Sequence, residues 1–444
     1  MDDILSQPLS LPCGVSLPNR LGKAPMTEGL ADERLRATEG HVRLYKLWSE
    51  GGAGLHITGN VQIDRRVLER PGNVAIDNNG GIEQLEAWAK AGTTAGNQLW
   101  MQISHAGRQS PFYVTSRPLA PSPIGVKLAG SFRTPRAITE SEILDFTQRF
   151  AYVAGIAKQT GFTGVQVHGA HGYLLSSFLS PYTNRRNDQW GGSLENRARF
   201  LLNVVRGVRK EVGPDFPVSV KLNSSDFQKG GFSNEDCLQV VEWLNECGVD
   251  LLEISGGNYE QVALWGLDGE GDNANEEATA LKRESTRKRE AYFLEYAKEI
   301  RRVAKMPLMV SGGFRSRQAM RNAIESGDCD VIGLGRPLCT HPNFPKDLLE
   351  GRVEEAPRYE DSVQLGEGFW GLHSSSNLIR TMNTMGQQGF YYVNLLRMGA
   401  GQPVDTNMHP LAAMAKNLSN EIRTGRRIKP FQREVTSTKI TPKQ

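Results

Sequence analysis

Two imidazoles and a phenol lie within six residues of the chain, directly after a short apolar run. The run at 165–167 is rich in β-branched residues and predicts a strand, and His168, His171 and Tyr173 follow its end. The stretch 180–197 is polar and rich in glycine, which is typical of a loop. A strand that brings three hydrogen-bonding side chains to a long loop predicts one wall of an active site.

A second group of residues has the types that bind phosphate. Gly312 and Gly313 follow one apolar run, and Gly335 and Arg336 follow the next. Glycines allow backbone N–H groups to come close to a phosphate, and an arginine adds a bidentate, charge-assisted contact. These residues predict a site for a phosphorylated cofactor, although they do not identify its ring.

The elements that would position these residues recur along the chain. Short apolar runs alternate with helical patterns, which is typical of βαβ units and a parallel sheet. We predict strands at 20–26, 54–59, 99–103, 164–168, 217–222, 250–255, 307–311 and 330–335. The helical patterns lie at 81–92, 140–160, 196–212, 234–247, 289–305 and 316–326.

Eight strands that alternate with helices favour an α/β fold of the (β/α)8 TIM-barrel class. A Rossmann fold would need Gly-x-Gly-x-x-Gly after an early strand, and the sequence has none there. In such barrels, functional residues lie at the C-terminal ends of the strands, and phosphate binds after strands seven and eight. The predicted site residues follow this rule.

Two long insertions and a tail extend the predicted barrel. The insertions, 104–139 and 256–287, follow strands three and six, so we expect both to shape the substrate site. We assign 1–345 to the barrel and 346–444 to a C-terminal extension, mostly helical or irregular, packed on or beside it.

The composition limits the class of protein. The chain has 444 residues, of which 39% are hydrophobic, and its net charge of +3 is too small to indicate nucleic acid or an anionic membrane. No apolar run approaches the roughly 20 residues of a membrane span, and the N-terminus lacks a secretory signal pattern. Five widely spaced cysteines without a Cys-x-x-Cys predict reduced thiols, a cytoplasmic protein and no metal site.

The segment 168–197 resembles the Old Yellow Enzyme family of FMN-dependent ene-reductases. The likeness includes a His-x-x-His-x-Tyr motif, Ser-Pro, Asn-x-Arg and a Gly-Gly-Ser-x-x-Asn-Arg run. It implies that His168 and His171 hold the activating oxygen of the substrate and that Tyr173 donates a proton. It also implies tightly bound FMN, NADH or NADPH as co-substrate, and reduction of the C=C bond of an α,β-unsaturated carbonyl compound, an activated alkene.

The end of strand one continues the resemblance with Ala24, Pro25, Met26 and Thr27. The likeness implies that the backbone of the first three flanks the flavin and that the Thr27 hydroxyl bonds a flavin carbonyl near N5. A hydroxyl suits this position, because a donor beside an oxygen that gains electron density makes the flavin easier to reduce.

Three other strand ends extend the likeness. Gly59 would let the flavin ring lie close to the backbone, and Gln102 would pair its amide with the flavin pyrimidine edge. We expect His105 and Arg108 to order the loop that follows. Lys221 stands where most of the family has arginine; it keeps a positive charge that stabilises reduced flavin but loses the planar fork.

Two further functions stay open from the sequence. A phosphate-binding barrel lyase or aldolase could use Lys221 as a Schiff-base nucleophile, since a desolvated lysine can be nucleophilic. A flavin-binding scaffold without turnover could use the long tail to hold a partner. The sequence allows a homo-oligomer and either nicotinamide.

Overall fold

Eight parallel strands close into a barrel in the computed structural model, which describes residues 3–126, 131–257 and 293–433. They are β1 (Leu21–Lys23), β2 (Leu55–Ile57), β3 (Gln98–Ser104), β4 (Gly164–Gly169), β5 (Val218–Asn223), β6 (Leu251–Ser255), β7 (Leu308–Ser311) and β8 (Val331–Leu334). The ring closes where β8 pairs with β1, with Ile332 opposite Leu21. The predicted (β/α)8 barrel is confirmed, and every strand overlaps its predicted range.

Helices connect the strands and cover the outside of the barrel. They are α1 (Glu39–Glu50), α2 (Ile82–Ala91), α3 (Glu140–Gln159), α4 (Leu174–Leu179), α5 (Leu194–Val212), α6 (Asn234–Asn245), α7 (Leu294–Arg301), α8 (Arg317–Glu325), α9 (Phe344–Leu349), α10 (Tyr359–Ser362), α11 (Asn377–Gly399) and α12 (Pro410–Arg433). Short 3-10 turns lie at Ile4–Ser6, Arg336–Cys339 and Gly368–Trp370. The six predicted helices are present, although the first residues of the one predicted at 289–305 lie outside the described part of the chain.

The sequence patterns missed α1 and α4. Helix α1 is required by topology, because a connection between the parallel neighbours β1 and β2 must cross back over the sheet. Thr38 begins it: its hydroxyl accepts from Gly40 N–H at 3.2 Å, and its own N–H donates to His41 Nδ1 at 3.1 Å. This capping box uses a histidine in place of the usual glutamate, which hides it from pattern reading.

The insertion after β3 is ordered by a buried arginine. Arg108 Nη1 donates to Ile124 O at 3.2 Å and to Gly125 O at 3.0 Å, as expected for a residue that orders this loop. The insertion contains the paired short strands Leu119–Ala120 and Arg136–Ala137. The insertion predicted at 256–287 lies outside the described residues, except for its first two.

The C-terminal helices α11 and α12 pack on each other and on the barrel. A Cβ at Gly389 would lie 2.7 Å from Ala413 O, so glycine permits the close helix contact. Arg43 of α1 donates to Gly399 O at 2.8 Å, and Gln432 of α12 donates to Arg65 O at 2.9 Å. The extension therefore contacts both the helical layer and the loop after β2, while the boundary proposed at 345 falls within α9.

Two further findings bear on the class of protein. In the described ranges, no helix has the length and apolar character that a bilayer crossing requires. All five cysteines are free, and four of them are buried.

The buried histidines should make the free energy of unfolding depend on pH. Burial lowers the pKa of His41 to about 4, of His56 to about 3 and of His105 to about 4. Below pH 6.5 the unfolded chain binds protons that the folded chain does not, so the free energy of unfolding should fall by up to about 1.4 kcal/mol per pH unit per histidine. Urea unfolding at pH 7 and pH 5 measures this loss. His56→Asn should reduce this loss of unfolding free energy, whereas His373→Gln, at an exposed position, should not. Equal wild-type stability at both pH values would contradict the predicted pH dependence.

Candidate active site

His168 is the last residue but one of β4, and its ring has a defined tautomer. Its Nδ1 accepts the backbone N–H of Ala170 at 3.2 Å, so Nε2 carries the ring proton. Burial, together with His171 and Lys221, holds the pKa of His168 well below its ordinary value. At neutral pH this side chain is a neutral N–H donor.

His171 has a backbone conformation that few non-glycine residues adopt, with φ of +62°. Its N–H donates to Asn223 Oδ1 at 3.0 Å, and its carbonyl accepts from Gln109 Nε2 at 2.7 Å. Its Nε2 lies 2.6 Å from Ser255 Oγ. Burial, with Lys221 nearby, lowers the pKa of His171 strongly. Side chains from three other strand ends or loops thus hold this residue in a strained conformation, which is typical of functional sites.

Tyr173 completes a cluster of three rings. Its centroid lies 4.8 Å from that of His168 and 6.5 Å from that of His171, and the two imidazoles are 5.1 Å apart. Asn60 Nδ2 donates to the Tyr173 hydroxyl at 3.4 Å. The structure therefore brings the three residues together as the sequence predicts.

Polar side chains form a layer inside the barrel below this cluster. Gln102 Nε2 donates to Gln166 Oε1 at 2.7 Å, and Gln166 Nε2 donates to Glu253 Oε2 at 2.9 Å. Lys221 Nζ forms an ion pair with Glu253 Oε1 at 2.8 Å, and both side chains are buried. Glu253 thus pairs with the charge that Lys221 retains in place of arginine, and this contact engages the Nζ that a Schiff-base nucleophile would use.

The end of β1 lies beside the end of β8. Ala24 N–H donates to Leu334 O at 2.8 Å, and a Cβ at Gly335 would lie 3.8 Å from Met26 Sδ. Pro25 continues the same backbone. The predicted flavin-flanking residues and the predicted phosphate residues are therefore neighbours on one rim.

Thr27 and Gly59 lie close together beyond β1 and β2. A Cβ at Gly59 would lie 2.5 Å from Met26 O and 2.6 Å from Thr27 Cα, so only glycine fits there. The Thr27 hydroxyl donates to Glu69 Oε2 at 2.9 Å. Glu69 is a partner that the sequence did not suggest.

The ends of β7 and β8 have the features of a phosphate cradle. Gly312 and Gly313 have φ of +112° and +87°, which turns the chain sharply at the exit of β7. The buried Ser311 Oγ has no hydrogen-bond partner among the described residues. Arg336 is about half exposed, and its Nη1 lies 3.9 Å from Glu360 Oε1, which is too far for a strong contact. The donors present here fit an anionic phosphate.

The comparisons with known proteins agree with this geometry. Residues 5–355 match the model of the NADH:flavin oxidoreductase / NADH oxidase family. The chain belongs to this family, known as the Old Yellow Enzyme family. The NADH-dependent flavin oxidoreductase iliE of Hypocrea jecorina (strain QM6a) is 35% identical over 389 residues, which cover 81% of this chain and 93% of the relative.

Two solved structures extend the likeness to the fold. An old yellow enzyme homologue from Zymomonas mobilis is 26% identical with a TM-score of 0.65, covering 79% of this chain and 94% of that one. A complex of 2-naphthoyl-CoA reductase with 2-naphthoyl-CoA is 26% identical with a TM-score of 0.70, covering 81% of this chain and 53% of that longer one. The protein is a flavin oxidoreductase that uses FMN and a nicotinamide dinucleotide.

The residues that the sequence missed fall into two groups. Asn223 and Ser255 are the last residues of β5 and β6, so the rule that functional groups occupy strand ends marks both of them. Asn60, Glu69 and Gln109 lie in loops, where no periodicity marks them.

The Lys221–Glu253 pair predicts a specific pattern of stability. Lys221→Met leaves the Glu253 carboxylate uncompensated in the barrel interior and should destabilise the fold by about 3–5 kcal/mol. The double variant Lys221→Met/Glu253→Gln removes both charges and should recover most of that loss. Lys305→Met, which breaks an exposed pair with Glu246, should change stability by about 1 kcal/mol or less. Guanidinium unfolding measures all three. A small loss in the first variant, or no recovery in the double, would show that the pair is not buried as described.

Proposed function

We propose that the protein reduces the C=C bond of α,β-unsaturated carbonyl compounds with NADH or NADPH as the electron source. One observation supports this most directly: two neutral imidazoles and a phenol converge at the end of β4, on the rim that also holds the phosphate cradle. Bound FMN supplies a hydride to the β-carbon of the substrate.

The chain's own residues bind and polarise the carbonyl group. His168 Nε2–H donates to the substrate oxygen, because Nδ1 is already engaged by the backbone. His171, whose Nε2 lies 2.6 Å from Ser255 Oγ, adds a second contact. As negative charge develops on the oxygen, fixed neutral donors in a buried site stabilise it more than water would.

Tyr173 protonates the α-carbon. The Asn60 amide donates to the phenol oxygen, so it stabilises this oxygen once the proton has left. His168 and Tyr173 are buried, which keeps bulk water from competing for the developing charge.

Other chain residues would hold the cofactor. Gly312, Gly313, Gly335 and Arg336 would bind the phosphate. Along the ring, Ala24, Pro25, Met26, Thr27, Gly59, Gln102 and Lys221 would contact the flavin. The contacts between the ends of β1 and β8 support this arrangement, since they place both groups on one rim.

A lyase or aldolase that uses Lys221 is the second candidate, and the ion pair with Glu253 counts against it. A non-catalytic flavin scaffold would need no proton donor beside the imidazoles. We propose that the enzyme is cytoplasmic and that it acts on a small activated alkene. A homo-oligomer is compatible with this function.

Tyr173→Phe should separate the two halves of the reaction. The ring still fills its place, but the proton donor is lost, so alkene reduction should slow by about 10²–10⁴-fold. FMN content and anaerobic flavin reduction by NADH should stay near wild type. Stopped-flow absorbance follows each half separately. An unchanged rate of flavin reoxidation by an enone would show that Tyr173 is not the acid.

Arg336→Ala should weaken the retention of FMN. Loss of a charge-assisted contact worth about 1.5–3 kcal/mol raises the dissociation constant on the order of 10- to 100-fold. Fluorescence of free FMN after dialysis measures it. Arg352→Ala, at a similarly exposed arginine, is the control and should retain FMN. Equal retention in both variants would place the phosphate elsewhere.

A further inference from the structure

Thr27 reaches the barrel rim with its hydroxyl already engaged. Its Oγ1 donates to Glu69 Oε2 at 2.9 Å, and each residue is 7% exposed. A hydroxyl has one proton to donate. While that proton points at the Glu69 carboxylate, Thr27 offers only lone pairs to a neighbour on its other side.

The side-chain amide of Asn73 also bonds Glu69. Asn73 Nδ2 donates to the same Oε2 at 3.3 Å and also to Asn60 O at 3.3 Å. Because Asn60 also donates to Tyr173, this network reaches the proposed proton donor. Burial raises the pKa of the Glu69 carboxyl despite the opposing effect of Arg70.

Arg70 is bound mainly to the C-terminal helices. Its Nη2 forms an ion pair with Glu421 Oε1 at 2.5 Å, and its guanidinium stacks 3.8 Å from the centroid of the Tyr392 ring. Tyr113 donates its hydroxyl to Glu421 Oε2 at 2.5 Å. The charged and titratable groups that face Glu69 include Arg70 of its own loop, Tyr113 of the β3 insertion, Tyr392 of α11 and Glu421 of α12.

Glu28, the buried residue that follows Thr27 in the chain, directs its carboxylate to other partners. Glu28 accepts from Gly59 N–H at 2.8 Å and from the Tyr45 hydroxyl. In the described residues, Glu69 is the one carboxylate bonded to Thr27.

We propose that Glu69 is a positioning residue that sets the hydrogen bonding of Thr27 toward the flavin and takes up one solvent proton when the flavin is reduced. The inference rests on the proposed function, since it requires Thr27 to face the flavin. With a carboxylate at Glu69, the Thr27 proton is withheld. With a carboxylic acid, Glu69 donates to Thr27 Oγ1 and the Thr27 proton turns toward the flavin.

The negative charge gained when the flavin is reduced favours one of these two hydrogen-bond arrangements. A hydride from the nicotinamide brings two electrons and one proton, and it leaves negative charge on the far side of Thr27. That charge favours the arrangement in which Thr27 donates toward it and Glu69 holds a proton from solvent. Reduction should therefore take up one more proton with Glu69 than with an uncharged residue there.

Midpoint potentials of the FMN-loaded protein between pH 6 and pH 9 test this proposal. Where Glu69 titrates, wild type should show a slope about 30 mV per pH unit steeper than Glu69→Gln, because one proton per two electrons is a tenfold change per pH unit. Glu69→Asp should restore part of the slope. Glu142→Gln, the same chemical change on α3, should not alter it.

The Thr27→Val variant tests whether Glu69 acts through the Thr27 hydroxyl. In the Thr27→Val background, Glu69→Gln should change the slope by less than half of the change that it causes in wild type. Equal slopes in wild type and Glu69→Gln would overturn the proposal, and so would an undiminished effect in the valine background. If the protein reduces an enone but wild type and Glu69→Gln have equal slopes, this inference alone is wrong. If the wild-type slope is the steeper one but no enone is reduced, the proposed function alone is wrong.

Discussion

The pairing of β8 with β1 is the constraint on which the rest of the site depends. It closes the ring of parallel strands, so that every strand ends on the same rim. Without this closure, Ala24 N–H would not reach Leu334 O, and a cofactor could not contact both strand ends. The same order places β4, β5 and β6 side by side, so Asn223 and Ser255 reach the backbone and the ring of His171 from adjacent strands.

Polar groups in the barrel are tolerated because they satisfy one another. A left-handed conformation at His171 costs on the order of 1–3 kcal/mol. The two hydrogen bonds to its backbone, each worth about 0.5–1.5 kcal/mol, offset much of that. The Lys221–Glu253 pair is buried with an amide donor from Gln166, so its geometry is fixed as well. A site of fixed dipoles needs little rearrangement when charge develops on a bound molecule.

The sequence predicted the barrel and the His168, His171 and Tyr173 cluster because both depend on local patterns. Strands buried on both faces read as continuous apolar runs, and the motif lies directly after one of them. The partners of these residues were not predictable in the same way. Glu69 meets Thr27 across 42 residues, and Glu253 meets Lys221 across 32, so the tertiary fold and not a local pattern brings them together. Helix α1 was missed because its cap uses His41.

The sequence patterns predicted least about the C-terminal helices. Their contacts with Arg65 and Arg70 connect residues more than 340 positions apart. These contacts join α12 to the loop that carries Glu69, so the extension packs directly behind a residue of the proposed site.

Isotope labelling of the product tests the central claim most directly, that the cluster at the end of β4 serves C=C reduction. The enzyme would reduce a cyclic enone in D2O with unlabelled NADH, and in H2O with NADH deuterated at the transferred position of C4. The account predicts deuterium at the α-carbon in the first case and at the β-carbon in the second, as read by NMR and mass spectrometry. NADH oxidation that leaves the enone unreduced, or label at the opposite carbons, would contradict it.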